Sequence, residues 1–439
     1  MRNNLQNQPQ KTVAFHTLGC KVNQYDAQAM MEMFQQAGYR SLPFGEQADV
    51  NVVVTCVVTA VGEQKSRQAL HRVRREQPDS QLVAAGCLAQ KDADKLKDLG
   101  ARLIIGSQHR EQVVQLLEEA IATDSQIAAV EDVQRLPYEE LSISSHEGRT
   151  RAVMKIQEGC DRFCAYCIIP HVRGGIRSRM PEAIHQEALR LRDAGYQELV
   201  LTGIHLSSYG KDLDGTSLLD AVQAAAVPGL ARLRLGSLEP VVATAHFVRE
   251  LAKIPALCPQ FHLSLQSGSD TVLRRMRRRY TTAEYLESLD RLRAAFPGCA
   301  LTTDVLVGFP GETEEEFEQT LAFCRRAGFA RMHIFPFSRR AGTAADRMPG
   351  QLSRAEKTRR ARLMAQLDQE MSWQFRQGML GSIEQVLFEQ VDEAGLARGQ
   401  TVTGLVVSAP GGAEGRIQAV RLKSLCLEGF CGTLLDEDE

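Results

Sequence analysis

No sign of charge dominates this chain: 52 lysines and arginines stand against 54 aspartates and glutamates, a formal net charge of -2 over 439 residues. A global positive field is thereby excluded, so any affinity for nucleic acid has to come from local basic patches. Long apolar runs are missing too. No stretch reaches the roughly eighteen uninterrupted apolar residues of a membrane-spanning helix. The polar opening MRNNLQNQPQKTVAFHTLGC holds no apolar core of signal-peptide length. A soluble, cytoplasmic protein with no membrane partner is expected. Cysteine, in contrast, is plentiful, at eleven residues. In a large chain without an export signal thiols stay reduced, which disfavours a disulfide framework and favours metal or redox chemistry. At this length there is room for two or three domains, each burying its own core.

Cys160, Cys164 and Cys167 lie in KIQEGCDRFCAYCIIP, a CxxxCxxC loop after a short apolar strand. Such a trio can hold three irons of a 4Fe-4S cubane and leave the fourth open to a substrate or cofactor. The spacing resembles that of the radical S-adenosylmethionine (SAM) enzymes. That resemblance implies an open iron that chelates the amino and carboxylate groups of SAM, whose reductive cleavage yields a 5'-deoxyadenosyl radical. A zinc knot competes with this reading, but tetrahedral zinc takes pairs of Cys, or Cys with His, and the next histidine, His171, falls in a different loop frame. Cys258, Cys299 and Cys324 stand singly in apolar or helical contexts and read as small buried hydrophobes. Packing is the reading for Cys426 and Cys431 as well.

Up to about residue 122 apolar strands alternate with amphipathic helices, the pattern of a small parallel α/β sheet. Its strands are KTVAFHTLGC, DVNVVVTC, QLVAAGC and ARLIIGS, and the first three end in Cys20, Cys56 and Cys87. Parallel strands point the same way, so residues at their carboxyl ends share the edge where α/β folds place ligands. Gly19 and Gly86 each precede a thiol, where a missing side chain lets a bulky cluster approach. The plainer alternative is three buried cysteines at strand ends.

Residues 123-150 mix polar, Ser and Pro signals without periodicity and read as a linker. A second domain, 151-373, begins with RAVMKIQEG and continues through QELVLTGIHL, LARLRLGSLEP, FHLSLQSG, ALTTDVLVGFPGE and RMHIFPFS. These six βα units are too few for a closed eight-stranded barrel. Within it, Leu363, Leu367, Met371 and Phe375 form one stripe of a docking helix. From 374 to 439, short β-runs between Gly-rich turns predict a small antiparallel β-barrel of OB-like size.

In this order the pieces resemble the radical SAM methylthiotransferases over essentially the whole length. The resemblance implies an α/β protein with an N-terminal methylthiotransferase domain (1-122), a partial (β/α)6 radical SAM barrel and a C-terminal TRAM barrel. HTLGCKVNQYDAQ around Cys20 and IIPHVRGGIRSR after Cys167 are similar to the branch that modifies tRNA carrying N6-threonylcarbamoyladenosine at position 37. The isopentenyladenosine branch more often reads YGCQMN at the first cysteine, and the ribosomal-protein branch LGCPKN. One departure stands out: the family's NTCTVT is VTCVVT here, with Val54 and Val57 replacing polar residues beside Cys56, which puts the surroundings of that ligand in question.

The resemblance implies that Cys160, Cys164 and Cys167 bind a SAM-cleaving 4Fe-4S cluster and that Cys20, Cys56 and Cys87 bind an auxiliary one that takes part in sulfur delivery. One SAM would methylate the carried sulfur and a second would supply the radical that removes hydrogen from C2 of the adenine. Candidate SAM contacts lie after the core strands: Thr202, Gly203, Ser237, Glu239, Ser264, Gln266, Asp304 and Gly308, with Gly311 beside them. Implied partners are the tRNA anticodon loop at adenosine 37, an electron donor such as flavodoxin or ferredoxin, and a sulfur donor.

For RNA, LRRMRRRYTT supplies Arg274, Arg275, Arg277, Arg278 and Arg279 with Tyr280, and Arg173, Arg177 and Arg179 follow the cysteine loop. Arginines bridge phosphates and an adjacent ring stacks on a base; the bland alternative is a solvated helix face. The barrel is less basic, with five basic against ten acidic side chains from Gln374 onward, so binding there would rest on Arg398, Arg416, Arg421 and Lys423. The competing functional class is an RNA-binding iron-sulfur sensor without SAM turnover.

Overall fold

The structure is a computed structural model that describes residues 10-146, 148-427 and 429-435; the acidic tail DEDE, 436-439, lies outside the described residues. It divides into two compact units that do not follow the chain in single stretches. One runs up to Ser145 and takes in Glu158–Asp161 and Cys167–Arg177; the other comprises His146–Gln157, Arg162–Tyr166 and the chain from Ser178 onward.

The first unit is built on one sheet of six strands: β1 (Thr12–Thr17), β2 (Arg40–Leu42), β3 (Val50–Thr55), β4 (Gln81–Gly86), β5 (Leu103–Ile105) and β6 (Ile127–Ala129), in the order β2-β1-β3-β4-β5-β6. Every pairing is parallel. Such a sheet is covered on both faces, which is why β3, VNVVVT, is buried at all its positions. Its side chains alternate between two cores: Val50, Val52 and Val54 pack with Met30, Phe34 and Leu117, and Val53 packs with Leu70, Leu82 and Ile104. Helices α1 (Lys21–Gln36), α2 (Ala60–Glu76) and α3 (Cys87–Lys91) leave the carboxyl ends of β1, β3 and β4. Thr59 caps α2 by accepting from the Gly62 N–H at 3.0 Å.

The segment expected to be a linker is instead strapped to this unit as far as Ser145. Tyr25 Oη donates to the Leu141 carbonyl at 2.7 Å. The buried Glu32 carboxylate accepts from the N–H groups of Ser144 and Ser145, both at 2.9 Å. The strap carries no periodic signal because polar contacts, rather than an apolar stripe, hold it.

In the second unit lie β7 (Arg151–Glu158), β8 (Arg177–Ser178), β9 (Glu198–Gly203), β10 (Arg232–Leu235), β11 (Gln260–His262), β12 (Ala300–Val307) and β13 (Arg331–Pro336); Glu158 and Arg177 themselves fall with the first unit. β7, β9 and β10 pair in parallel, as do β11, β12 and β13. Parallel bridges Leu233↔Leu257 and Leu238↔Leu263 join the two stretches. The six strands expected for a partial barrel therefore stand side by side in chain order, with the short β8 beyond β7. Along the helix Arg354–Gln377 the buried line is Arg360, Met364, Leu367 and Met371; the stripe read from the sequence holds at Leu367 and Met371, and Met364 takes the place expected of Leu363.

The C-terminal strands β14 (Ile383–Val391), β15 (Leu396–Thr401), β16 (Val406–Pro410), β17 (Ile417–Cys426) and β18 (Gly429–Leu434) close into a barrel, β14-β15-β16-β18-β17. Val386, Phe388, Val407, Val420 and Phe430 fill it. All pairings are antiparallel except β16 with β18. Cys431, read as a packing residue, is exposed on β18. The barrel is held at the amino ends of the core strands: Arg232, the first residue of β10, donates to the Gln400 and Gln385 carbonyls at 3.0 and 2.6 Å, and Arg151, the first of β7, to Gln400 Oε1 at 3.0 Å. The opposite, carboxyl ends of those strands carry the residues of chemical interest. Among the described residues no helix is long and apolar enough to cross a membrane.

Candidate active site

In the first unit β1, β3 and β4 are neighbours, and their pairing brings Thr17 beside Val54 and Thr55 beside Gly86. Their ends are thus level, and Cys20, Cys56 and Cys87 follow along one edge. Two backbone features let the sulfurs crowd there. Gly19 sits at φ +104°, and a Cβ on it would stand 2.9 Å from Cys56 Sγ; Gly86 sits at φ +91°, where a Cβ would stand 2.9 Å from the Thr55 carbonyl. Only glycine adopts such angles cheaply. Gly19→Ala is expected to keep the fold, because this edge position is exposed, yet to displace the Cys56 sulfur. In a Cys160/Cys164/Cys167→Ala background it should lower the iron that the protein takes up on reconstitution; undiminished iron by elemental analysis would count against this geometry.

The surroundings of Cys56 survive the valine replacements. Val54 and Val57 are buried in apolar cores, and polar support comes from elsewhere: the Ser66 hydroxyl accepts from Cys56 N at 2.9 Å and donates to its carbonyl at 3.1 Å. Thr55 Oγ1 donates to the Ala85 carbonyl at 2.6 Å and accepts from Leu88 N at 3.1 Å, tying β3 to the start of α3.

Beside this edge lies a buried ionic cluster. Arg110 donates to Asp26, to Glu139 at 2.7 Å and to the Ser107 carbonyl at 2.7 Å, and approaches Glu158 at 3.4 Å. Arg173, with none of its surface exposed, donates to Glu158 at 2.9 Å, to Asp26 at 3.2 Å, to Asn23 Oδ1, and through Nε to Cys87 Sγ at 3.1 Å. Burial pushes the Cys87 thiol up to about 11 against the pull of Arg173, and the neighbouring Cys20 and Cys56 sulfurs push the same way. Crowded thiols beside a buried cation, with no disulfide among the described residues, are donor chemistry suited to metal-held thiolates. The segment carrying Arg173 also holds the start of the CxxxCxxC loop: Cys160 N donates to the Gly174 carbonyl at 3.0 Å. Gly159 is at φ +73°, where any Cβ would meet the Gly175 carbonyl at 1.7 Å.

In the second unit the middle of that loop is pinned by main-chain bonds, Ala165 N to the Met276 carbonyl at 3.0 Å and Ala345 N to the Ala165 carbonyl at 2.7 Å. Cys164 Sγ accepts from Arg278 Nη1 at 3.3 Å. The same guanidinium reaches Glu239 at 3.0 Å, and Arg162 and His205 reach Glu239 at 2.8 and 3.3 Å. Burial opposes ionisation of Glu239, but the His205 hydrogen bond and the charges of Arg278, His205 and Arg162 outweigh it and bring its carboxyl to about 2. Its carboxylate thus anchors cations beside Cys164.

The residues singled out for SAM lie where strand ends put them. Thr202 and Gly203 close β9, Ser237 and Glu239 follow β10, Ser264 and Gln266 follow β11, Asp304 lies within β12 and Gly308 directly follows it. They differ in what they offer. Ser237 is exposed and Thr202 buried. Gln266 adopts φ +68° and joins β12, its N–H donating to the Asp304 carbonyl at 2.8 Å. Asp304 faces His262 at 3.2 Å. Gly308 N donates to Glu312 at 2.6 Å, and Gly311 N to the Gly350 carbonyl at 2.8 Å.

The RNA residues are where the structure departs most from expectation. Arg173, Arg177 and Arg179 are each at most 3% exposed and present no surface to a nucleic acid: Arg173 serves Cys87, Arg177 donates to the Arg173 carbonyl at 2.7 Å, and Arg179 pairs with Glu187. Arg278 is turned to Cys164 and Glu239, and Arg275 to Glu316 at 2.6 Å. Tyr280 is buried, its hydroxyl 2.7 Å from both the Ser264 and Leu265 carbonyls, so its ring is no stacking platform. Only Arg274, Arg277 and Arg279 of that set are exposed. A charge run read along the chain does not reveal which members a fold turns inward.

Asn23, Asp26, Arg110, Glu158, Arg162 and His205 were not expected to matter. Two had a local signal, since Asn23 and Asp26 sit in CKVNQYD, about one and two turns of α1 past Cys20. The partnership of Arg110 with Glu139 and Glu158 had none.

A parallel six-stranded core with a CxxxCxxC loop after its first strand defines a radical SAM protein, and residues 154–324 match the Radical SAM superfamily model. Residues 12–106 match that of Uncharacterized protein family UPF0004. Threonylcarbamoyladenosine tRNA methylthiotransferase MtaB of Bacillus subtilis is 41% identical over 399 residues, covering 89% of this chain and 88% of the relative. The protein of that name from Thermotoga maritima is 36% identical over 428 residues, covering 97% and 98%. A tRNA-2-methylthio-N(6)-dimethylallyladenosine synthase of Moorella thermoacetica is 36% identical, covering 94% and 96%. Among solved structures, the radical S-adenosylmethionine methyltransferase TsrM of Kitasatospora setae shares the fold with a TM-score of 0.56 at 14% identity, covering 77% of this chain and 74% of that one. The chain belongs to the radical SAM tRNA methylthiotransferase family.

Proposed function

We propose that this chain converts N6-threonylcarbamoyladenosine at position 37 of tRNA to its 2-methylthio derivative. The observation that carries this is the pair of cysteine trios, one following three level, neighbouring parallel strands and one in the loop after β7. Two relatives named for this activity, at 41% and 36% identity, support the choice of substrate. The chain is a transferase that uses SAM and two 4Fe-4S clusters. Cys160, Cys164 and Cys167 would hold the SAM-cleaving cluster, and Cys20, Cys56 and Cys87 the auxiliary one. When bound, these groups supply one-electron cleavage of SAM and a sulfur for transfer.

The protein's own residues do the rest. Glu239, held ionised beside Arg278 and Arg162, keeps Arg278 on Cys164. Thr202, Gly203, Ser237, Ser264, Gln266, Asp304 and Gly308 line the strand ends and would offer hydroxyl, amide and main-chain groups to SAM. The exposed Arg274, Arg277 and Arg279 would meet tRNA phosphates. An electron donor such as flavodoxin or ferredoxin and a separate sulfur donor complete the reaction, in the cytoplasm. The working division is 1-122, 151-373 and 374-439, with 123-150 between the first two. Nucleoside mass spectrometry of tRNA from a deletion strain tests the substrate: 2-methylthio-threonylcarbamoyladenosine should vanish and return on complementation, and an unchanged level would remove the assignment.

A further inference from the structure

The Cys87 sulfur has a partner that charge balance does not require. Arg173 already meets two carboxylates, Asp26 and Glu158, through Nη1, and Nη2 is committed to Asn23. Its Nε–H points to Cys87 Sγ at 3.1 Å, within the range for a hydrogen bond to sulfur. Arg110 is bound to the same two carboxylates, Asp26 and Glu158, and shares their charge. The guanidinium is fully buried, so water does not compete for the sulfur. It is also fixed from behind, since Ser107 Oγ donates to the Val172 carbonyl at 2.6 Å, anchoring the short helix Ile169–Arg173 that carries it.

Resting on the assignment of Cys20, Cys56 and Cys87 to the auxiliary cluster, we propose that Arg173 is a positioning residue for that cluster: its Nε–H donates to the Cys87 thiolate, fixing the orientation of that ligand and raising the cluster's reduction potential. An N–H donor withdraws charge from a ligating sulfur and so stabilises the reduced cluster, and such partners of metal ligands are a main lever on potential. Arg173 is only six residues beyond Cys167. The chain that carries the last thiol of one trio therefore also supplies the donor to the other.

The test uses full-length protein with Cys160, Cys164 and Cys167 replaced by alanine, leaving one cluster to observe, reconstituted with iron and sulfide and reduced. With arginine labelled by 15N in its guanidino group, pulsed paramagnetic resonance should detect a 15N hyperfine coupling to the reduced cluster. Arg173→Lys keeps the positive charge beside Asp26 and Glu158; it should lose the coupling and shift the midpoint potential negatively. Ser107→Ala loosens the same helix without touching the sulfur and should keep the coupling. A cluster with no 15N coupling in the unsubstituted Arg173 protein overturns the proposal without need of any variant. So does an Arg173→Lys potential that is unchanged, or one matched by Ser107→Ala. Absence of any iron signal from this background would instead strike the ligand assignment itself, and the proposal with it.

Discussion

Replacing Cys20, Cys56 and Cys87 together by alanine is expected to lower bound iron from about eight to about four per chain and to abolish methylthiolation, while reductive release of 5'-deoxyadenosine from SAM continues. The two trios belong to separate pieces of backbone: one follows β1, β3 and β4, the other a single loop after β7. Losing the first does not remove the main-chain bonds that pin the second at Ala165. Cys164→Ala should end release of 5'-deoxyadenosine in anaerobic assays with dithionite and SAM, and methylthiolation with it. Parallel loss of both activities in the first variant, with the fold intact by circular dichroism, would mean that the trios do not act as two sites.

Arg110→Met should be the most destabilising single substitution in the first unit away from its cysteines. Arg110 is 1% exposed and is the shared partner of Asp26, Glu139 and Glu158. Burial works against its charge, but the carboxylates prevail and its pKa is raised. Removing one member of a buried ion cluster leaves the others uncompensated in a medium that solvates them poorly, at a cost of about 3-5 kcal/mol, against total domain stabilities of about 5-15 kcal/mol. Glu139 belongs to the strap between 123 and 145, so that segment should become the first site of proteolysis. Arg72→Ala, which breaks an exposed pair with Glu76, should shift the midpoint far less, since solvent screens exposed pairs. Comparable denaturant midpoints for the two variants would refute this account.

The sequence and the structure agree most closely where chemistry and backbone period coincide. The three Cys-terminated strands were visible because an apolar run, a glycine and a thiol repeat in series, and parallel pairing then makes three distant residues neighbours. The six core strands were readable for the same reason. Side-chain direction was not readable. LRRMRRRY looks like one basic patch, yet Met276 is buried and Arg277 takes φ +61°, and the turn sends Arg278 to Cys164 while Arg277 and Arg279 stay in solvent. IRSR has the same character: a two-residue strand, β8, buries both of its arginines' neighbourhoods, and nothing in its length announces that. The strap 123-145 was missed because its order comes from acids capturing backbone N–H groups, which leaves no hydrophobic period to find.

The manner in which the C-terminal barrel is seated has an evolutionary consequence. Arg232 and Arg234 grip it by the carbonyls of Gln385, Gln400, Thr401 and Val402, and a carbonyl is the same group whatever side chain its residue bears. Apart from Gln400 and Glu389, whose side chains meet Arg151, selection for docking therefore falls on two core arginines and on the path of the barrel's main chain. The module is left free to drift in composition, and so to change what its outer surface prefers, without losing its seat.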